Sequence, residues 1–393
     1  MEVDGISFLG RANGEGGRLL SRIKRGVKSV ARGASERLGL ATSAQRAWAA
    51  SRLDAFAPAS RRYSAGIAIG TPLFRQRTAS IPALGVQLFD RAELRGDQGR
   101  VRDARGRWVL DFGHPSPREL FAADEPQVVA GLTVQLCNPV VARNYYHFLL
   151  DCLPRYRVCL EAGIEGERIF APCNEPFQRE AFGLLGLTDR LVPAAPGSRL
   201  KCEKLAVPDG LVRNEPVRTP EFTWAQVSYQ LDWAIEYLDS ELRARNAESI
   251  SQQHASAQPR RIYVSREQAR NRKVLNEAEL VEALEQLGVT RVFTEKMSLA
   301  EQMSLFHGAE LIVAPHGAGL ANLVFSRRGS TVVELVPRAA PLSFFWMLAE
   351  TRGLEYSYIA CESVFNGDRK RFPAYDCQVD VKRLVSYLRE RFA

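Results

Sequence analysis

The sequence predicts an α/β protein made of two Rossmann-like, doubly wound domains facing a cleft, with a basic N-terminal arm. Three observations predict it. Between residues 260 and 362, short apolar runs alternate with helical patterns at intervals of about 20–30 residues, the mark of a parallel sheet with crossover helices. Residues 63–245 show the same alternation with less regular spacing. The stretch 246–259, NAESISQQHASAQP, is small and polar and reads as a linker between them. The chain of 393 residues has room for two or three domains.

The elements follow in order. Residues 1–62 form the basic arm. Within it, Leu19, Ile23, Val27 and Val30 recur at helical spacing among Arg22, Lys24, Arg25 and Lys28. The segment 11–33 is therefore either a short amphipathic helix for an anionic membrane surface or a solvated arm. In 63–245, strands are expected over 128–136, 168–172 and 204–208, and helices over 145–162, 176–186 and 221–245. In 260–365, IYVSR (262–266) is a short buried strand. Asn276, with Glu279 three residues on, opens a helix whose apolar face is Leu280, Leu284 and Leu287. VTRVFTE (289–295) is the next strand, and Ser298 with Glu301 is a capping box for the helix that follows. LIVAP (311–315) and TVVELVP (331–337) are the third and fourth strands. A helix over 342–353, a strand over 354–360 and, within 366–393, a closing amphipathic helix complete the chain.

Composition narrows the class. Hydrophobic residues make up 46% and charged residues 25%, as in a globular protein, and no apolar run approaches the ~18 residues of a membrane span. The net charge is +8, but residues 1–62 carry +7 of it. The body is thus nearly neutral and lacks the basic surface of a nucleic-acid binder. Seven cysteines without a CxxC pair read as reduced core residues, and no zinc-ligand spacing is present.

In an open parallel sheet, ligands bind beyond the carboxyl ends of the strands. Those ends carry Ser265–Arg266, Thr294–Glu295, Pro315–His316–Gly317 and Glu334 through Pro337. In PHGAGLAN (315–322), small residues precede a helix start. This is either an anion site, with Gly317, Ala318 and Gly319 admitting a ligand to the backbone and His316 donating to a phosphate oxygen, or a tight turn whose glycines serve packing alone. Arg266, Arg270 and Arg272 lie in or beside the loop after the first strand. Guanidinium groups bind phosphate bidentately and stay charged, which favours the anion site. Glu334 is then either the acceptor for two ribose hydroxyls or a lone acidic group facing a loop. In NYYHFLLDCLPRY (144–156), Asn144, His147, Asp151 and Arg155 share one helical face. His147 and Asp151, four apart, either form a general-base pair or are ordinary polar residues on a solvent face. No G-x-S-x-G, Walker A, G-x-G-x-x-G or D-x-D sequence occurs.

Taken together, RRIYVSREQARNRKVLNEAELVEAL, SLAEQMSLFHGAELIVAPHGAGLANLVF, TVVELVP and NYYHFLLDCLPR resemble glycosyltransferase family 61, which includes a capsular-polysaccharide-biosynthesis group. The resemblance covers roughly residues 125–340. It implies a GT-B architecture and an inverting, metal-independent transfer from a nucleotide sugar, with no cofactor. By position, Arg266, Arg272, Asn276, Glu277, Glu301, Gln302, His316, Gly317, Gly319, Asn322 and Glu334 match the family's pattern for the donor half, with Ala318 inside the same turn. His147 and Asp151 match its N-terminal block, with Asn144 and Arg155 on the acceptor side.

The expected protein is therefore an inverting glycosyltransferase with an acceptor-side domain at 63–245 and a nucleotide-sugar-binding domain at 260–365. Its acceptor is a glycan or lipid-linked oligosaccharide. With neither leader nor anchor visible, a cytoplasmic location is expected, peripheral at the membrane if residues 11–33 bind it. The alternatives are a non-catalytic nucleotide-sugar or glycan-binding subunit of a polysaccharide assembly complex and, more weakly, a phosphotransferase.

Overall fold

The computed structural model describes residues 40–41, 51–64, 66–70, 73–74, 77–109, 125–137, 144–216, 224–248, 258–367 and 375–392. The proposed membrane segment 11–33 and most of the linker lie outside them. The described chain is α/β, with two large sheets.

The second sheet matches its sequence expectation closely. Strands Arg261–Val264, Thr290–Val292, Leu311–Pro315, Thr331–Pro337 and Glu355–Phe365 are all parallel, in spatial order second, first, third, fourth, fifth. Helices Glu277–Glu285, Leu299–Gly308 and Phe344–Arg352 make the crossovers, and Val381–Phe392 closes the chain. The third and fourth strands are buried along their whole length. That is why they read as unbroken apolar runs and not as an alternation. The strand order reverses between the first and third strands, so a crevice opens beyond Val264 and Pro315.

The first sheet departs from expectation. Its parallel part is Leu191–Pro193, Arg168–Ala171, Gln127–Gln135 and Arg199–Pro208, in that spatial order. Arg199–Pro208 then pairs antiparallel with Leu84–Asp90 and Glu93–Arg95. The sheet is therefore mixed and not doubly wound throughout. Turns at Gly96, Gly99 and Gly106, all at positive φ, also join Glu93–Arg95, Arg100–Arg102 and Trp108–Val109 as antiparallel neighbours, too tightly for a crossover helix. Ser51–Phe56, assigned by sequence to the arm, pairs with Leu84–Asp90 and belongs to the body. Ile67–Ile69, sequentially in the first half, adds a parallel strand to the second sheet beside Ser357–Ile359.

The helix expected over 221–245 is also corrected. Trp224–Ser228 is a strand paired with Val212–Pro216, and the helix begins only at Asp232. The alternating WAQVS segment favours an extended chain.

The halves are not separated by solvent. One continuous apolar core runs from Tyr146, Phe148 and Phe182 to Met303, Leu320 and Phe345. The cysteines all lie buried and free, as their apolar surroundings indicate.

Candidate functional site

A cavity of about 650 Å³ lies at the point where the second sheet reverses its strand order. Its walls are the strand ends Val264–Arg266 and Ala314–Pro315, the turn Gly317–Leu320, the segment Thr294–Leu299 and, from the first half, Tyr145 and the start of helix Pro176–Leu184. Much of the lining is apolar, with polar groups converging from the loops, the composition of a small-molecule site.

The glycines of this turn have a packing role, one of the two readings the sequence left open. Gly317 is extended, at φ −177°, so its backbone does not require glycine. A Cβ there would collide with the Arg266 guanidinium, and a Cβ on Gly319 would sit 3.1 Å from Thr294 Oγ1. Gly317 thus admits the side chain that ends the first strand, and Gly319 admits the one that follows the second. The two glycines let three strand ends close on one another. The helix expected at this turn is a 3₁₀-helix, Ala318–Phe325.

Arg266 is held by its own loop: Nε donates to the Arg272 carbonyl at 3.2 Å and Nη2 to the Asn271 carbonyl at 2.9 Å. Arg272 takes a positive φ of 59°, a strained backbone for a non-glycine residue, and its buried Nε has no protein partner. Burial and the neighbouring Arg266 push the Arg272 guanidinium down to about 9, so it remains cationic at neutral pH. Burial also lowers Arg266, with Glu295 opposing. Arg266 lines the cavity, and the Arg272 cation is buried behind it, so the positive charge is concentrated on this side.

Glu334 does not reach the cavity. It is fully buried; Oε1 accepts from His316 Nδ1 at 2.5 Å and Oε2 from Tyr356 Oη at 2.6 Å. Fully buried outside the cavity lining, with both oxygens engaged, it does not present an acceptor to a ribose there, and that expectation is corrected. The pair also fixes the imidazole: Nδ1 carries the proton, and the buried Nε2, without a partner among the described residues, is an acceptor while His316 is neutral. Burial pushes His316 below the usual histidine range, against the pull of Glu334. Donation from Nε2 to a phosphate, as expected from sequence, therefore needs a second proton.

Other predicted residues divide between cavity and scaffold. Gln302 and Ala318 line the cavity. Asn322 is buried behind it, donating to Gln302 Oε1 at 2.8 Å and accepting from Tyr145 Oη at 2.5 Å, which ties the two halves together. Glu301 completes the capping box with Ser298. Asn276 does not cap its helix with its side chain; it exchanges two hydrogen bonds with the Val379 backbone and donates to Glu279. Its expected ligand role is corrected to that of a brace for the C-terminal segment. Glu277 accepts from Tyr263 and Ser265 hydroxyls beneath the first strand end.

In the first half, His147 Nδ1 and Asp151 Oδ2 are 2.5 Å apart, and both residues are buried. The expected helix is interrupted directly after His147 by a π-turn at Phe148–Cys152, which contains Asp151 and in which Leu153 N–H donates to the Phe148 carbonyl. Pro154, having no N–H, cannot continue the α-helical ladder there. Burial raises the Asp151 carboxyl, with His147 opposing. Asn144 caps the first turn by accepting from His147 N at 3.3 Å. Arg155 is not free for an acceptor. It donates to the carbonyls of Cys137 and Pro208 and to Gln135 Oε1, pinning two strands of the first sheet.

Aromatic contacts link the two histidine pairs. Tyr146 lies edge-on to His147 at 5.0 Å and stacks with Phe344 at 5.5 Å, and Phe344 lies 5.5 Å from His316. Among the described residues, no group of three or more His, Cys, Asp or Glu is placed to hold a metal ion.

Sequence reasoning missed Tyr145, Glu180 and Tyr356. Glu180 accepts from the free N–H groups of Leu299 and Ala300, so a carboxylate from the first half occupies the start of helix Leu299–Gly308. Its partner is 119 residues away in sequence, and no local pattern announces it. Tyr145 was readable only as part of the NYYH run.

The fold and the site define an α/β protein with a cavity at the switch point of its parallel sheet, lined by both acidic and basic side chains. Residues 145–333 match the family model described as Glycosyltransferase 61, and this part of the chain is a glycosyltransferase family 61 domain. The human protein O-linked-mannose beta-1,4-N-acetylglucosaminyltransferase 2 is 38% identical over 96 residues, 23% of this chain and 17% of its own length. The Mus musculus protein of the same name is 33% identical over 135 residues, 32% and 23% of the two chains. The Xenopus laevis EGF domain-specific O-linked N-acetylglucosamine transferase is 30% identical over 131 residues, 32% and 25%. The matched segments thus span about a quarter or less of these relatives.

Proposed function

We propose that this protein is an inverting glycosyltransferase of GT-B arrangement, moving a sugar from a nucleoside diphosphate sugar to a hydroxyl of a glycan or lipid-linked acceptor. The observation that carries the reading is the Arg266 guanidinium seated on Gly317 at the switch-point cavity, with Arg272 behind it. The cavity takes the nucleoside, and the two arginines take the diphosphate.

His147, oriented by Asp151, is the base. Its Nδ1 is spent on the carboxylate, leaving Nε2 to accept the acceptor's hydroxyl proton. The freed oxygen attacks the anomeric carbon in line as the bond to the diphosphate breaks. The leaving oxygen keeps the electron pair, and Arg266 and Arg272 stabilise its charge. On this reading the arginines supply the positive charge that a metal gives elsewhere.

The basic segment 11–33, with the context of polysaccharide assembly at the cytoplasmic membrane face, belongs to the same proposal. Among the described residues no helix is long and apolar enough to cross a membrane. The relatives' names make N-acetylglucosamine the first sugar to try, and UDP-N-acetylglucosamine is taken as the first probe. Incubation with it and a panel of other nucleotide sugars should release the nucleoside diphosphate, and Arg266→Ala should abolish release. Tight donor binding without release or transfer to any tested acceptor would favour the non-catalytic alternative.

A further inference from the structure

The exclusion of Glu334 leaves the donor's ribose without its expected acceptor. From the cavity wall we infer that Glu295 takes this role and selects ribonucleotides over deoxyribonucleotides. The inference rests on the reading of the cavity as a nucleotide-sugar site.

Three acidic residues line the cavity: Glu175, Glu180 and Glu295. Glu180 spends both oxygens on Leu299 N and Ala300 N. Glu175 forms the capping box of helix Pro176–Leu184 with Gln178, on the opposite half. Glu295 is exposed at the cavity, and its carboxylate has no hydrogen-bond or ion-pair partner among the described residues. The adjacent Lys296 ammonium instead lies over the Phe293 ring, 4.7 Å from its centre.

Its place in the fold suits the task. In doubly wound nucleotide-binding sheets, the carboxylate for the ribose lies one β–α unit beyond the phosphate-binding turn, where the second strand ends. Here the unit runs from Arg266 through helix Glu277–Glu285 to strand Thr290–Val292, and Glu295 follows that strand by three residues. The backbone beneath it is fixed. Thr294–Lys296 is a 3₁₀ turn closed by Met297 N–H donating to the Thr294 carbonyl, and Thr294 Oγ1 packs on Gly319. Arg266, the proposed diphosphate ligand, feels Glu295 as its largest favourable charge interaction. A nucleoside diphosphate must place its ribose beside its phosphates, and a free carboxylate beside Arg266 meets that demand with two acceptor oxygens for the vicinal hydroxyls.

The test is calorimetric binding of UDP and 2′-deoxy-UDP, repeated with the guanosine, adenosine and cytidine pairs. For the base that binds, the ribonucleotide should bind about tenfold more tightly than its deoxy form, as expected where a deleted hydroxyl strands a carboxylate acceptor. Glu295→Ala, an exposed substitution, should weaken the ribonucleotide about tenfold more than the 2′-deoxyribonucleotide, which keeps only the 3′-hydroxyl, bringing the ratio near one. Wild-type binding without discrimination, or equal losses for both forms in Glu295→Ala, would overturn the assignment while leaving the nucleotide site intact. Failure of all eight nucleotides to bind would end both the assignment and the reading beneath it.

Discussion

The Arg266 guanidinium occupies the space where a side chain on residue 317 would stand. One residue ends the first strand of the second sheet and the other follows the third, so this contact closes the switch point. Because Gly317 is extended, alanine is compatible with its backbone, and only the arginine must move. Gly317→Ala should therefore fold with a loss of about 1–3 kcal/mol from overpacking. Donor affinity should fall by about tenfold or more as Arg266 is displaced. Thermal unfolding and donor titration of the same preparation separate the two effects.

Arg266 and Arg272 should not respond alike to substitution. Arg266 lines the cavity, whereas Arg272 stands behind it with a strained backbone. Arg266→Ala should cost about 1.5–3 kcal/mol of donor binding, the range for hydrogen bonds to a charged group. Arg272→Gly should weaken the donor by a similar amount and, by relieving the positive φ, lose less stability than Arg272→Ala. Equal stability of the glycine and alanine variants would argue against stored backbone strain.

Glu334 is predicted to act on stability before it acts on substrate. Glu334→Ala leaves His316 Nδ1 and Tyr356 Oη unpaired in the core and should cost about 3–5 kcal/mol. Tyr356→Phe removes one hydrogen bond to a carboxylate and should cost about 1.5–3 kcal/mol. Chemical denaturation measures both. A Glu334→Ala protein of wild-type stability would show that the buried pair does not form.

The pH dependence of stability has a defined sign. Burial holds His316 below its ordinary value of about 6.5, so the unfolded chain binds this proton more readily. The contribution is full above that ordinary value and is lost as pH falls through it toward the folded-state value. His307 is lowered too and adds in the same direction. Glu93 and Asp239, whose carboxyls are held low by arginines against the cost of burial, enter only at more acidic pH. The melting temperature should therefore drop between pH 7 and pH 5, and His316→Gln should flatten part of that drop.

His147 and Asp151 should show their roles in turnover and not in donor affinity. His147→Ala should lower kcat by about 10²–10⁴-fold, the usual contribution of a general base, with donor binding near wild type. Asp151→Asn should lower it less and shift the acidic limb of the pH–rate profile. Unchanged turnover in His147→Ala would remove it as the base.

The second sheet was legible because its chemistry is local. Fully buried parallel strands such as LIVAP and TVVELVP read as apolar runs, and the Ser298–Glu301 capping box marks a helix start to the residue. The first sheet was less legible because its antiparallel strands are short and arginine-rich, and their pairing depends on turn glycines. Side-chain roles were the least legible. Glu334 and Arg155 sit at sequence positions suited to ligands, yet their partners, Tyr356 and the Pro208 carbonyl, come from distant elements. Glu295 was readable as an acid at a strand end.

The most direct test is a crystal structure with UDP-N-acetylglucosamine, or with whichever nucleotide sugar the panel identifies. The account predicts the diphosphate against Arg266 and the Gly317–Gly319 turn, with the nucleoside in the cavity beside Thr294–Met297. A diphosphate bound elsewhere, with Arg266 still held only by the Asn271 and Arg272 carbonyls, would contradict it.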